Sequence, residues 1–124
     1  RPGPYQLQAA IAAVHSDATR VEATDWAQIV ALYDHLLAIA PSPVVALNRA
    51  VAVSELRGPD EALALVDALS LDGYHLAHAV RAELLRRTGD AEAAGSAYAR
   101  ALDLVQNPAE RRHLERRLDS LTHP

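Results

Sequence analysis

Along nearly the whole chain, apolar residues recur at intervals of three and four, the period of a helix with one buried face. Leu7, Ile11, Val14 and Ala18 share such a face over residues 4–18. Asp25 reads as the N-cap of a second helix, with Gln28 completing a capping box and Pro41 ending it. Ser42 caps a third with Pro43 at its first position, and the "RGP" at 57–59 closes it. A fourth is expected from about Asp60 to Leu69, and a fifth capped by Asp72 and stopped by Gly89. The sixth spans Asp90 to Val105, and Asn107, Pro108 and Glu110 open a seventh. The valines of "VVALNRAVAV" are interrupted by alanines and bracketed by caps, so this run too reads as helix.

The second, fourth and sixth helices repeat one another. Ile29, Tyr33 and Leu36 sit at intervals of four and three; Ala62, Val66 and Leu69 do so 33 residues later, and Ala94, Tyr98 and Ala101 after a further 32. A near-constant period of this size signals repeated helical hairpins. Each second helix needs a small residue where its partner crosses and a larger one toward the next hairpin. One hairpin cannot bury its apolar face alone, so neighbours must stack. The seventh helix, with Leu114, Leu118 and Leu121 on one side and arginines elsewhere, reads as the polar-backed cap.

Composition agrees. Half of the 124 residues are hydrophobic and 23% are charged, with no Cys, Met or Phe and one Trp. Ala and Leu are the strongest helix formers, and small side chains let helices approach closely. The lack of Cys removes disulfides and thiolate metal sites and fits a cytoplasmic location. No apolar run is long enough to span a bilayer. A net charge of −4 argues against direct binding to DNA. The chain opens at Arg1 with a helix almost at once, and is read as a piece of a longer protein.

Candidate chemistry is sparse. His75 and His78 are one helical turn apart and could share a metal, but a site needs a third ligand and the sequence offers no obvious one. Asp34–His35 and Asp72 with His75 can be drawn as acid–base pairs, yet helical scaffolds produce such pairs by chance. Glycine-rich phosphate loops and nucleophile elbows are missing. No enzyme activity, metal or cofactor is therefore expected. Asn48 and Arg49 interrupt the apolar third helix. They either face a partner across a concave surface, or Asn48 bonds a neighbouring helix while Arg49 reaches a carboxylate. Arg86, Arg87, Arg111, Arg112, Arg116 and Arg117 form a basic patch without interleaved aromatics, read as a solvated cap.

The pattern small-x3-aromatic-x2-small-x4-Pro at Ile29, Tyr33, Leu36 and Pro41 resembles the second helix of the tetratricopeptide repeat (TPR). Gly58 and Gly89 match its turn glycines, and Ala82 its close-approach site. The Trp and Leu that open the family's first helix are missing, one residue is dropped near Pro59, and "TRVEAT" makes a long link. The expectation is an all-α, TPR-like stack of antiparallel hairpins with irregular geometry, at about 4–40, 43–69 and 73–105, capped by 108–121.

"GPYQLQAAIAAVHSDA", "LNRAVAVSE" and above all "DGYHLAHAVRAELLRRTGD" resemble something narrower, the C-terminal extension of a group of bacterial extracytoplasmic-function (ECF) sigma factors. Asp72, Gly73, Tyr74, His75, His78, Arg81 and Ala82 stand where that family's motif has them, with Ala77 where leucine is commoner. The resemblance implies a regulatory domain in transcription initiation. Its partners would be the sigma core regions of the same chain and, through them, RNA polymerase, with a signalling protein or small ligand as a further partner. The residues assigned to partner binding are Asn48, Arg49, Asp72, Tyr74, His75, His78 and Arg81. In that stretch Tyr74 and Leu76 are expected to pack, while His75, His78 and Arg81 form a polar stripe. The rival reading is a free-standing adaptor that holds a peptide or small ligand in its groove.

Overall fold

The computed structural model describes residues 3–17 and 24–122. Among these described residues seven helices follow in order: α1 Pro4–Asp17, α2 Trp26–Ile39, α3 Pro43–Arg57, α4 Pro59–Asp67, α5 His75–Thr88, α6 Ala91–Leu104 and α7 Pro108–Thr122. No strand occurs among the described residues. Ala18 and most of the "TRVEAT" link lie outside them.

Local chemistry sets most boundaries. Asp25 accepts from the Gln28 amide at 3.1 Å, Ser42 from Val45 at 3.3 Å and Asp90 from Ala93 at 3.1 Å. Asn107 Oδ1 accepts from Ala109 and Glu110 at 2.8 and 3.1 Å. Each cap satisfies amides that the first helical turn leaves without a partner. Gly89 ends α5 at φ 93°, ψ 6°, the left-handed conformation that a Cβ disfavours, with Asp90 N–H returning to the Leu85 carbonyl. Two expectations fail at the α4–α5 junction. Helix α4 stops at Asp67 rather than Leu69, and Asp72 does not cap α5. Tyr74 holds the N-cap position, because Asp72 and Gly73 are spent on a turn closed by Tyr74 N–H to the Leu71 carbonyl at 3.0 Å.

Each helix packs on its neighbour in sequence, and α3 also touches α5. That is the contact order expected of stacked hairpins, with the first helix α3 beside the first helix α5. The repeating positions point inward. Ile29, Leu36, Ala62, Val66, Ala94, Tyr98 and Ala101 are buried, and Tyr33 and Leu69 pack half-buried against the same core. The core forms two clusters. One joins α1 to α4 with Ala77 and Leu84 of α5; the other joins Ala82 and Leu85 of α5 to α6 and α7. Helix α5 is thus the shared wall, and the absence of side-chain bulk at Ala82, Ala94 and Ala101 lets α5 and α6 approach closely. Among the described residues no helix is long and apolar enough to cross a membrane.

Candidate functional site

Helix α3 exposes a strip of Val44, Asn48, Val51 and Glu55, spaced four, three and four, and its last turn adds Leu56 and Arg57. Asn48 is exposed there, between two exposed valines, and forms no side-chain bond to a neighbouring helix among the described residues. Arg49 lies off the strip and donates through Nε to Asp34 Oδ1 of α2 at 2.6 Å. The two residues therefore separate: Asn48 faces the open side, and Arg49 ties two helices together.

Helix α5 presents Leu76, Ala79, Val80 and Glu83 to the same open side, between α3 and α7. Two grooves flank it. The first, about 420 Å³, runs between Val51, Ser54 and Glu55 of α3 and Val80, Glu83, Leu84, Arg86 and Arg87 of α5. Arg87 crosses it, donating to Ser54 Oγ at 3.2 Å and to the Ser54 carbonyl at 3.4 Å, with Glu55 at 3.7 Å. The second groove, also about 420 Å³, has a floor of Leu76, Ala79, Val80, Ala109 and Leu114, with His75, Glu83, Glu110 and His113 around it. Only its end is bridged, where His75 Nε2 donates to Glu110 Oε2 at 2.6 Å.

The expected stripe of His75, His78 and Arg81 winds around α5 and does not stay on one side. His75 turns to α7. His78 Nε2 donates to the Asp72 carbonyl at 2.7 Å, and Arg81 Nε donates to Asp67 Oδ1 at 2.8 Å. Together with Asp72 they line a smaller hollow of about 280 Å³ against the α4–α5 turn. These contacts fasten the turn to α5. Tyr74 packs half-buried against the first core cluster, its ring edge-on to His75 at 5.6 Å, whereas Leu76 stays 39% exposed instead of packing. Among the described residues no three His, Cys, Asp or Glu side chains converge as a metal would need.

One network was not legible in the motif. The buried Tyr98 hydroxyl donates to Glu83 Oε2 at 3.0 Å, and Arg86 donates to both Glu83 oxygens at 3.0 and 2.5 Å. The bond from Arg86 is the main force holding the Glu83 carboxyl below the usual range, helped by Tyr98 and opposed by burial. Burial, then the bond to Glu83, pushes Tyr98 up to about 12. Arg117 of α7 is near enough for its charge to act on both groups. The basic patch is likewise partly structural, since Arg111 donates to the Leu102 and Val105 carbonyls where α6 ends.

The open side thus offers a continuous apolar band, Val51–Val80–Leu76–Ala79–Ala109, edged by charge. No family model matches the chain. It is 50% identical over 123 residues to an uncharacterized protein of Rhizobium meliloti (strain 1021). That stretch is 98% of this chain but 29% of the relative, so the chain spans less than a third of the relative's length.

Proposed function

We propose that this chain is a protein-interaction domain that regulates an ECF sigma factor, using the open side of α3, α5 and α7 as its contact surface. The observation that carries the contact role is the exposed apolar band. Val44, Val51 and Leu76 gather on this side, whereas the other exposed large apolar residues, Tyr5, Ile39 and Leu56, lie at the ends of α1, α2 and α3. Contiguous exposed apolar surface marks interaction sites more often than it marks neglect. The sigma assignment rests on the resemblance of residues 72–90 to that family's motif. A relative more than three times as long, carrying this stretch as one part, supports a role within a larger polypeptide.

Within this reading the motif divides its labour. Tyr74, His78 and Arg81 fix the entry into α5, and Asp72 supplies the carbonyl that His78 holds. The entry so fixed determines where Leu76, Val80 and Glu83 stand on the open side. The test is co-purification of core RNA polymerase, with promoter-driven transcription in parallel, using the longer polypeptide carrying Val51→Glu and Leu76→Glu. Both positions are exposed, so helicity and melting should hold while transcription output falls. Unchanged output, or a longer polypeptide that never associates with the polymerase, would overturn the sigma reading.

A further inference from the structure

We infer that the groove between α5 and α7 receives an acidic amphipathic helix from a protein partner, a conclusion that deepens the contact role above. Three observations converge on that occupant.

The first is the floor. Leu76, Ala79, Val80, Ala109 and Leu114 offer apolar contact, in a hollow of about 420 Å³ that can take side chains of an inserted ridge.

The second is what the groove lacks. An extended peptide would lay its own amides and carbonyls over that floor, and each would need a partner. The lining contains no Asn, Gln, Ser or Thr. His75 and Glu110 are bonded to each other, and Glu83 is held by Arg86 and Tyr98. His113 is the one polar lining side chain that forms no hydrogen bond among the described residues. A helix satisfies its own backbone, so it suits the groove where a strand does not.

The third is charge. On α7, His113, Arg116, Arg117 and Ser120 share one side at spacings of three, one and three; His113 lines the groove with Ala109, and Arg117 is near enough to act on Glu83 there. Glu115 and Asp119 lie four apart on the other side, across the buried Leu114 face. Among the described residues Arg116 and Arg117 form no ion pair, as Arg100, Arg111 and Arg112 form none, whereas Arg49, Arg57, Arg81, Arg86 and Arg87 each do. On a chain of net charge −4, this flank carries two guanidinium groups that form no ion pair among the described residues, and the charge of Arg117 reaches Glu83 at the groove's edge. Carboxylates placed beside the apolar ridge of a partner helix would meet them.

The experiment measures fluorescence anisotropy of a labelled peptide of about 15 residues, long enough for a helix to form. Leucines occupy one face and glutamates flank it; a control peptide replaces every glutamate with lysine. The glutamate peptide should bind the 124-residue chain at least about tenfold more tightly than the lysine peptide, a gap of about 1.4 kcal/mol. Its affinity should fall as salt rises and screens the flank. Leu76→Glu, and Arg116→Gln with Arg117→Gln, should each weaken it at least about fivefold, with far-UV circular dichroism unchanged. Arg100→Glu, a charge change at an exposed site on α6, should leave it alone.

Equal binding of the two peptides, binding of neither, or indifference to the groove variants would overturn the inference. So would a concentration-dependent dimer in sedimentation that Leu76→Glu abolishes, since a second copy would then fill the groove. A chain that prefers the glutamate peptide while the longer polypeptide ignores RNA polymerase upholds the groove and sinks the sigma reading. Loss of transcription with no peptide preference does the reverse.

Discussion

The two grooves beside α5 are built on the same wall and are of similar size, yet they differ in kind. Between α3 and α5, Arg87 spans the gap to Ser54 and Glu55, and the floor includes Leu84, only 2% exposed. Between α5 and α7 the floor leucine of α5, Leu76, is 39% exposed although Leu114 opposite is buried, and among the described residues the His75–Glu110 bond at the end is the side-chain link between the helices. The first is a seam and the second an opening. A stack of hairpins needs its first helices fastened somewhere, and wherever it fastens them it gives up surface for recognition. Here the fastening and the opening sit on adjacent sides of one helix, so substitutions on α5 should separate stability from binding.

The largest effect should come from Leu84→Ala. Removing a buried leucine from the seam costs about 2–5 kcal/mol, read as a lower denaturation midpoint. Next comes Arg87→Ala, which removes the bonds to Ser54 and should cost about 0.5–1.5 kcal/mol in the same measurement. Tyr98→Phe should cost about as much, through the lost hydroxyl bond to Glu83. Its pH dependence has a definite sign. The folded state raises Tyr98 to about 12, above its ordinary value of 10.0. The stability tied to that shift is therefore complete below pH 10 and lost as pH climbs toward 12. The parent and Tyr98→Phe should converge over that window in alkaline melts.

Glu83 works in the opposite sense. Its carboxyl is lowered from the ordinary 4.5, so its stabilisation is present above that value and lost as pH falls through the folded-state value. Glu83→Gln should flatten the acid limb of the melting profile. The smallest effect on stability should be that of Leu76→Ala, within about 0.5 kcal/mol of the parent. If Leu76→Ala destabilised the chain as much as Leu84→Ala does, the distinction between seam and opening would collapse.

How much of this the sequence carried depended on distance along the chain. Caps at Asp25, Ser42, Asp90 and Asn107 act within three residues, and their residue types announced them. The exception is instructive. Asp72 followed by glycine has two local uses, a helix cap or a turn, and the turn won because α5 begins only after Tyr74. The inward direction of Ile29, Ala62, Ala94 and their companions was legible because a repeat fixes one buried face three times over.

The site was less legible. His75, His78 and Arg81 are close on one helix, but which neighbour each meets depends on where α4 stops and where α7 docks. Leu76 looked like a packing residue because α5 has apolar residues on more than one side, and periodicity alone does not say which side is covered. The link between Tyr98 and Glu83 joins residues 15 apart across a hairpin. The strip Val44–Asn48–Val51–Glu55 was the available signal. Two valines on the face opposite the buried Val53 are more than a surface helix needs.

The most direct measurement is an NMR titration of the methyl-labelled chain with the glutamate-flanked peptide. Shifts should concentrate at Leu76, Ala79, Val80, Ala109 and Leu114, with little change at Leu32, Leu37 and Leu65 away from the open side. Shifts confined to α2, α4 and α6, or spread evenly over the molecule, would contradict the account.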